Sequence, residues 1–375
     1  MKTTVITLVA GRHAHLRLQL RGLARSARTP DDHVVVSMGD PAVAPLIEAE
    51  GYPAHTVTLP AGGPLSPSAG GPLSPSAGGP LSPPAGGPLS PPAGGPLSPP
   101  AGGPLSPPAG GPLSPPAGGP LSPSAGGPLS PSAGGPLSPP AGGPLPLSTA
   151  RNLGAECALA RGAELLVFLD VDCIPSVGLL GLYERAASDP QHGSALLCGP
   201  VTYLPPPGPE GYDPARLERS VNPHPARPSP PAGAIHTGDE YDLFWSLSFA
   251  TTRETWTAVG GFCTDYVGYG GEDTDFAQRA ARAGVGLRWI GGAHAFHQHH
   301  PVSDPPVEHL HEILHNAAVF HRRWGRWPMT GWLTRFAEAG LARYDTVADR
   351  WVATGTHAGS GGCLETDGRG NSVGT

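Results

Sequence analysis

Residues 61–145 are ten consecutive copies of AGGPLSPS or AGGPLSPP closed by a partial AGGPL, with no charged or aromatic residue among them. Such a tract has almost nothing to bury and cannot repay the entropy of ordering, so any core must come from the roughly 290 residues that flank it. The tract takes up 27 of the 50 prolines and 22 of the 55 glycines, which returns the flanks to the composition of an ordinary globular chain. Glycine pairs interrupt any continuous polyproline helix, glycine does not fall at every third position as collagen requires, and no charge flanks the prolines to steer a partner. The expectation is a disordered insertion, tolerated because the entropy of closing a loop grows only with the logarithm of its length.

The net charge of −7 lies outside the repeat and shows none of the basic excess that nucleic acid attracts. A phosphate-bearing ligand then needs a local site or a metal ion. The cysteines, Cys157, Cys173, Cys198, Cys263 and Cys363, have neither CxxC nor other metal-type spacing and read as reduced structural thiols, which favours a cytoplasmic location. No segment approaches the ~20 apolar residues of a membrane span, and TVITLVAG near the N-terminus reads as a buried first strand.

Strand and helix periodicities alternate from there. Thr3–Val9, His33–Ser37 and Ala54–Leu59 are strand-like, separated by helical patterns over Leu16–Ala27 and Ala42–Glu50. That βαβαβ order predicts a parallel sheet that places ligands at the carboxyl ends of its strands. After the repeat, RNLGAECALARG is helical with Ser148 or Thr149 as N-cap and Gly162 as stop, and the apolar run Glu164–Leu169 reads as a central strand. Residues 205–234 read as loop, Tyr241–Thr251 as strand, Glu254–Val259 and Asp273–Gly284 as helices, Val307–Arg323 as an amphipathic segment and 353–375 as a tail.

Three motifs carry chemistry. Asp170-Val171-Asp172 follows the buried strand directly, where two carboxylates can serve a hard cation such as Mn²⁺ or Mg²⁺ and a bound sugar. Gly268-Tyr269-Gly270-Gly271-Glu272-Asp273-Thr274-Asp275-Phe276 runs a glycine-rich loop into acids at a helix start; the helix dipole alone accounts for one or two such acids but not for the loop. His294, His297, His299 and His300 cluster after the strand-like Leu287–Ile290, and a neutral imidazole suits Mn²⁺ beside carboxylates. By contrast, His309, His311, His315 and His321 lie on the amphipathic segment and read as surface or packing residues.

Together with Gly11-Arg12 after the first strand and Ala150-Arg151-Asn152-Leu153-Gly154, these motifs resemble a family 2 glycosyltransferase of GT-A fold with a galactosyltransferase-type C-terminal module. The resemblance covers nearly everything except 61–145 and the tail. It implies an α/β nucleotide-sugar-binding domain with a mostly parallel central sheet, split into 1–60 and 146–352 by the repeat at 61–145 and followed by the tail at 353–375. It implies a metal held by Asp172 and a histidine, His297 with His299 the alternative. Donor contacts fall on Gly11, Arg12, Asp40, Arg151, Asn152, Asp170 and Tyr269, the general base on Asp273, and sugar-hydroxyl binding on Glu272. Tyr269 stands where galactosyltransferases carry Trp, so sugar stacking differs there, and Asp40 is the one acid near the end of the second strand. The activity implied is inverting hexosyl transfer from a nucleotide-diphosphate sugar, UDP-linked by resemblance, to a carbohydrate or other hydroxyl acceptor. A nucleotidyltransferase would show a Gly-rich, Lys/Arg-containing phosphate loop after the first strand, for which Gly11-Arg12-His13 is a poor candidate; a non-catalytic carbohydrate-binding or scaffold protein is the other alternative.

Overall fold

The run Thr3–Val9 (β1) is buried along its whole length; Asp32–Met38 (β2) pairs with it in parallel, and Leu16 and Leu20 of His13–Ala24 (α1) share a core cluster with Val9 and Val35 of the two strands. The computed structural model describes residues 1–59 and 144–354. The expected disordered repeat at 61–145 and tail at 353–375 lie outside the described residues except for Pro144, Leu145, Ala353 and Thr354, of which Ala353 ends a strand.

The chain continues through Val43–Ala49 (α2), His55–Leu59 (β3), Leu147–Ala160 (α3), Leu165–Leu169 (β4), Cys173–Pro175 (β5) and Leu179–Ser188 (α4). Ala195–Cys198 (β6), Val201–Tyr203 (β7), Ile235–Gly238 (β8), Ser248–Thr252 (β9), Arg253–Val259 (α5) and Glu272–Arg282 (α6) follow. The remainder is Gly286–Ile290 (β10), Ala295–His297 (β11), Leu310–Trp324 (α7), Thr330–Glu338 (α8), Ala342–Asp345 (β12) and Arg350–Ala353 (β13).

Eight strands form one sheet in the order β3-β2-β1-β4-β9-β6-β10-β8, in which only β9 and the edge strand β8 oppose the direction of the rest. The α/β architecture with a mostly parallel sheet flanked by helices is therefore the one expected. α3 lies close against β1 and β2 because Gly154 carries no side chain; a Cβ there would stand 2.6 Å from Ile6 Cγ2 and 3.0 Å from Val36 Cγ2. On the same face, Phe168 of β4 stacks on Phe249 of β9 at 4.6 Å, and Phe262 stacks on Phe276 of α6 at 4.2 Å, in one continuous core. A second sheet, β5-β11-β7, sits at the end of β4 and presents the cleft.

Local expectations differ at two places. Ser148 does not cap α3: the helix begins at Leu147 without a side-chain cap, and Ser148 Oγ is buried in the first turn without a partner. Only 248–252 of the stretch 241–251 and its neighbour is strand, since Leu243 N and Phe244 N close local turns onto Glu240 O and Tyr241 O at 3.1 Å instead of joining a ladder. Among the described residues, Cys157, Cys173, Cys198 and Cys263 are free thiols, and no helix is long and apolar enough to cross a membrane.

Candidate active site

β4 is buried on both faces and ends at the cleft, where the chain turns through Asp170-Val171-Asp172 with Cys173 N donating to Asp170 O at 2.8 Å. Pairing of β5 with β11 then sets Cys173 opposite His297, and Gln298 N donates to the Asp172 carbonyl at 2.7 Å. This register brings residues 125 or more positions apart onto one carboxylate: His297 Nε2 and His300 Nε2 each lie 3.5 Å from Asp172 Oδ2. Arg12 Nη1 donates to the same oxygen at 2.8 Å.

The three side chains fit a divalent cation. One ligand atom from each of Asp172, His297 and His300 lies within 4.8 Å of the others, and Asp172 Oδ1 is buried with no hydrogen-bond partner. Burial would raise the Asp172 pKa, but His300, His297 and Arg12 outweigh it and hold the carboxyl at about 2, fully ionised. Burial lowers the His297 pKa despite Asp172, which keeps its imidazole neutral with a lone pair to give. A carboxylate with two imidazoles is a donor set that Mn²⁺ or a similar ion accepts.

Of the four clustered histidines, the other two are elsewhere engaged. His294 is buried with Nε2 2.6 Å from Thr202 Oγ1, and His299 uses its backbone amide on Tyr212 at 3.1 Å without joining the triad. The chain leaves the strand after His297, so the pleat no longer sets which side the next residues face, and an i, i+3 pair results.

A second group adjoins the first. Arg151, projecting from α3 and 5 % exposed, lies with Nη2 3.7 Å from Asp170 Oδ1 and donates through Nη1 to Glu272 Oε1 at 3.1 Å. Its guanidinium rests over the Phe262 ring at 5.1 Å. Glu272 opens α6 buried, with Oε2 unpartnered, and Asp273 stands beside it half-buried. Burial and the Glu272 charge, against Arg151, raise the Asp273 carboxyl to about 7; the helix dipole therefore does not keep it in the ordinary acidic range, because desolvation beside a second carboxylate is the larger effect. Asp170 is likewise raised to about 7, by burial first, with Arg151 opposing and Asp172 and Glu272 adding to it.

The remaining predicted residues divide. Arg12 reaches the cleft from a left-handed position (φ 51°) at the start of α1. Asp40 Oδ2 accepts Gly11 N at 2.8 Å and His13 Nε2 at 2.7 Å, and Oδ1 accepts Ala42 N at 3.1 Å, so Asp40 braces the rim formed by β1 and β2. Asn152 clamps the Phe262 backbone, its Nδ2 donating to the carbonyl at 2.9 Å and its Oδ1 accepting from the amide at 2.8 Å. Tyr269 is 40 % exposed, with its ring stacked on His309 at 4.7 Å and on Trp332 at 5.7 Å. Asp275 points away from the cleft, buried, and accepts Arg323 Nε and Trp324 Nε1 at 2.7 Å.

Residues 232–301, from β8 through α6 to the histidines, match the family model described as the N-terminal domain of galactosyltransferase. No curated protein matches the chain in sequence. Among solved structures it is similar to mannosyltransferase PcManGT from Pyrobaculum calidifontis in complex with GDP-Man and Mn²⁺, at 13% identity over 90% of this chain and 76% of that chain, with a TM-score of 0.41. It is also similar to GalNAc-T7 with UDP, GalNAc and Mn²⁺ (10% identity, 90% and 57% covered, TM-score 0.43). A third is S. aureus TarS 1-349 in complex with UDP-GlcNAc (10% identity, 89% and 76% covered, TM-score 0.43).

Proposed function

We propose that this protein is a glycosyltransferase that moves a hexosyl group from a nucleoside-diphosphate sugar, UDP-linked, to a carbohydrate hydroxyl with inversion at the anomeric carbon. The observation that carries this is the convergence of two charged groups: Asp172 with its two histidines, and Arg151 bridging Asp170 to Glu272, with the charge of Asp172 felt at Asp170 and that of Glu272 felt at Asp273. Asp172, His297 and His300 are the residues that would hold a divalent cation. Bound there, such an ion supplies positive charge to a departing diphosphate.

The protein's own groups do the rest. Arg12 adds a cation beside Asp172, and Gly11 with Asp40 borders the nucleotide end of the cleft. Arg151, buried between Asp170 and Glu272, stays charged and orients both carboxyls; Glu272 keeps one oxygen free for a sugar hydroxyl. Asp273 accepts the acceptor's proton as its oxygen bonds to the anomeric carbon. The bond from that carbon to the diphosphate oxygen breaks on the opposite side, and its electron pair leaves with the nucleotide. A single base on one face makes the transfer inverting.

The test is diphosphate and sugar release from UDP-, GDP- and dTDP-sugars with Mn²⁺, for wild type, Asp172→Asn and Asp273→Asn. Asp172→Asn should abolish Mn²⁺-dependent nucleotide binding in calorimetry, and Asp273→Asn should cut turnover by ~10²–10⁴ while donor affinity stays within a few-fold. Pyrophosphate exchange in place of sugar release would mark a nucleotidyltransferase, and neither reaction a binding protein. Nucleotide-sugar binding indifferent to EDTA would remove the metal from the scheme.

A further inference from the structure

The loop that delivers Asp273 has little rigidity of its own. Gly268, Gly270 and Gly271 adopt φ of +73°, +95° and +89°, and glycine surrenders more backbone freedom on ordering than any other residue. Asp273 follows directly in the first turn of α6, so its reach towards an acceptor is only as well defined as this loop.

Helix α7 supplies the definition. Asn316, fully buried, donates Nδ2 to the carbonyls of Val267 at 3.0 Å and Tyr269 at 3.2 Å, and its Oδ1 accepts Val267 N at 3.2 Å. One turn nearer the start of α7, Glu312 Oε2 accepts Tyr269 N at 2.7 Å and is itself steadied by His309 Nδ1 at 3.1 Å. Both amides and both carbonyls of Val267 and Tyr269 are thus satisfied by two side chains of one helix. The Tyr269 ring, stacked on His309 and Trp332, fixes the same loop from its side-chain end. Gly268 makes the close approach possible, since a Cβ there would stand 2.4 Å from Glu312 Oε2.

We infer that Asn316 and Glu312 are positioning residues for the reaction: α7 sets the Gly268–Gly271 loop, and the loop sets Asp273. Neither residue touches the metal triad or the reacting atoms. Their contribution is orientation, for which a displacement of ~1 Å can cost ~10²-fold in rate. The inference rests on Asp273 acting as the base.

The experiment compares Asn316→Ala, Glu312→Ala and Glu312→Gln in the full chain, assayed with UDP-sugars, Mn²⁺ and a panel of glycoside acceptors well below each variant's melting temperature. Turnover should fall ~10- to 100-fold in the two alanine variants while donor KM moves less than about threefold, and Glu312→Gln, whose side-chain oxygen still accepts from Tyr269, should recover most of it. In the Asp273→Asn background Asn316→Ala should add little, because a misplaced base and an absent base cost the same step. Full turnover in Glu312→Ala, or an equal further loss in the Asp273→Asn background, would reduce α7 to a structural support. Normal turnover in Asp273→Asn alone would sink the base assignment itself, a distinct result obtained without touching α7. Should Asn316→Ala fail to fold, the Glu312 pair decides the matter.

Discussion

At the scale of single residues, burial decides what each acid in the cleft can do. Asp172 follows the end of β4 and Asp273 opens α6, yet one is held at about 2 by histidines and an arginine while the other is raised to about 7 by desolvation and Glu272. A base must be deprotonated to work, so kcat/KM should fall as pH drops through about 7 and level off above it, and Asp273→Asn should reduce that limb of the profile to the part that Asp170, raised to the same range, contributes. A flat profile between pH 5.5 and 8 would remove Asp273 from the role. The histidines give a second residue-scale expectation. His300→Ala should weaken Mn²⁺ affinity ~10- to 100-fold by titration calorimetry, the size seen when a metal site loses a group that shapes it. His299→Ala, outside the triad, should change it little.

At the scale of elements, α6 joins the core to the cleft. Its first turn carries Glu272 and Asp273, whereas Phe276 one turn on is fully buried, stacked on Phe262 at 4.2 Å and close to Phe249 at 5.9 Å. Phe262 is in turn held by Asn152 and lies under the Arg151 guanidinium, so the aromatic cluster beneath α6 supports the ion pair above it. Phe276→Ala should destabilise by ~3–5 kcal/mol in urea unfolding, the usual cost of an aromatic-sized cavity. A loss under ~1 kcal/mol would show that the cluster closes over the gap and that α6 is held mainly by Asp275 and its partners on α7.

At the scale of the whole molecule, the described residues resume at the last two positions of the repeat pattern, Pro144 and Leu145. Leu145, the final residue of the repeat pattern, packs against the main core, and its carbonyl accepts Gly268 N at 3.0 Å. Replacing 61–143 by a short Gly/Ser linker should therefore leave melting temperature and turnover near wild type, with ~2 kcal/mol or less gained from the shorter loop. Extending the replacement through Leu145 should lower turnover, because Gly268 then loses that packed neighbour at the base of the Asp273 loop. Large losses from the shorter replacement would mean that the repeat itself supports the domain.

The sequence by itself determined the elements and the chemistry available. A short apolar run such as Leu165–Leu169, closed by an acid pair, reads as a buried strand, and acids directly after a strand of a mostly parallel sheet fall at its ligand-binding edge. What the sequence could not contain was which side chains meet. The choice of His300 as companion to His297 depends on the chain's path after β11, the turning of Asn152 onto Phe262 depends on a loop more than 100 residues distant, and the roles of Asn316 and Glu312 depend on α7 docking against the glycine loop. The pKa of Asp273 was set in the same way: helix position is local and legible, whereas desolvation and the nearness of Arg151 arise only when separate elements pack, and at this site those packed contributions outweigh the local one.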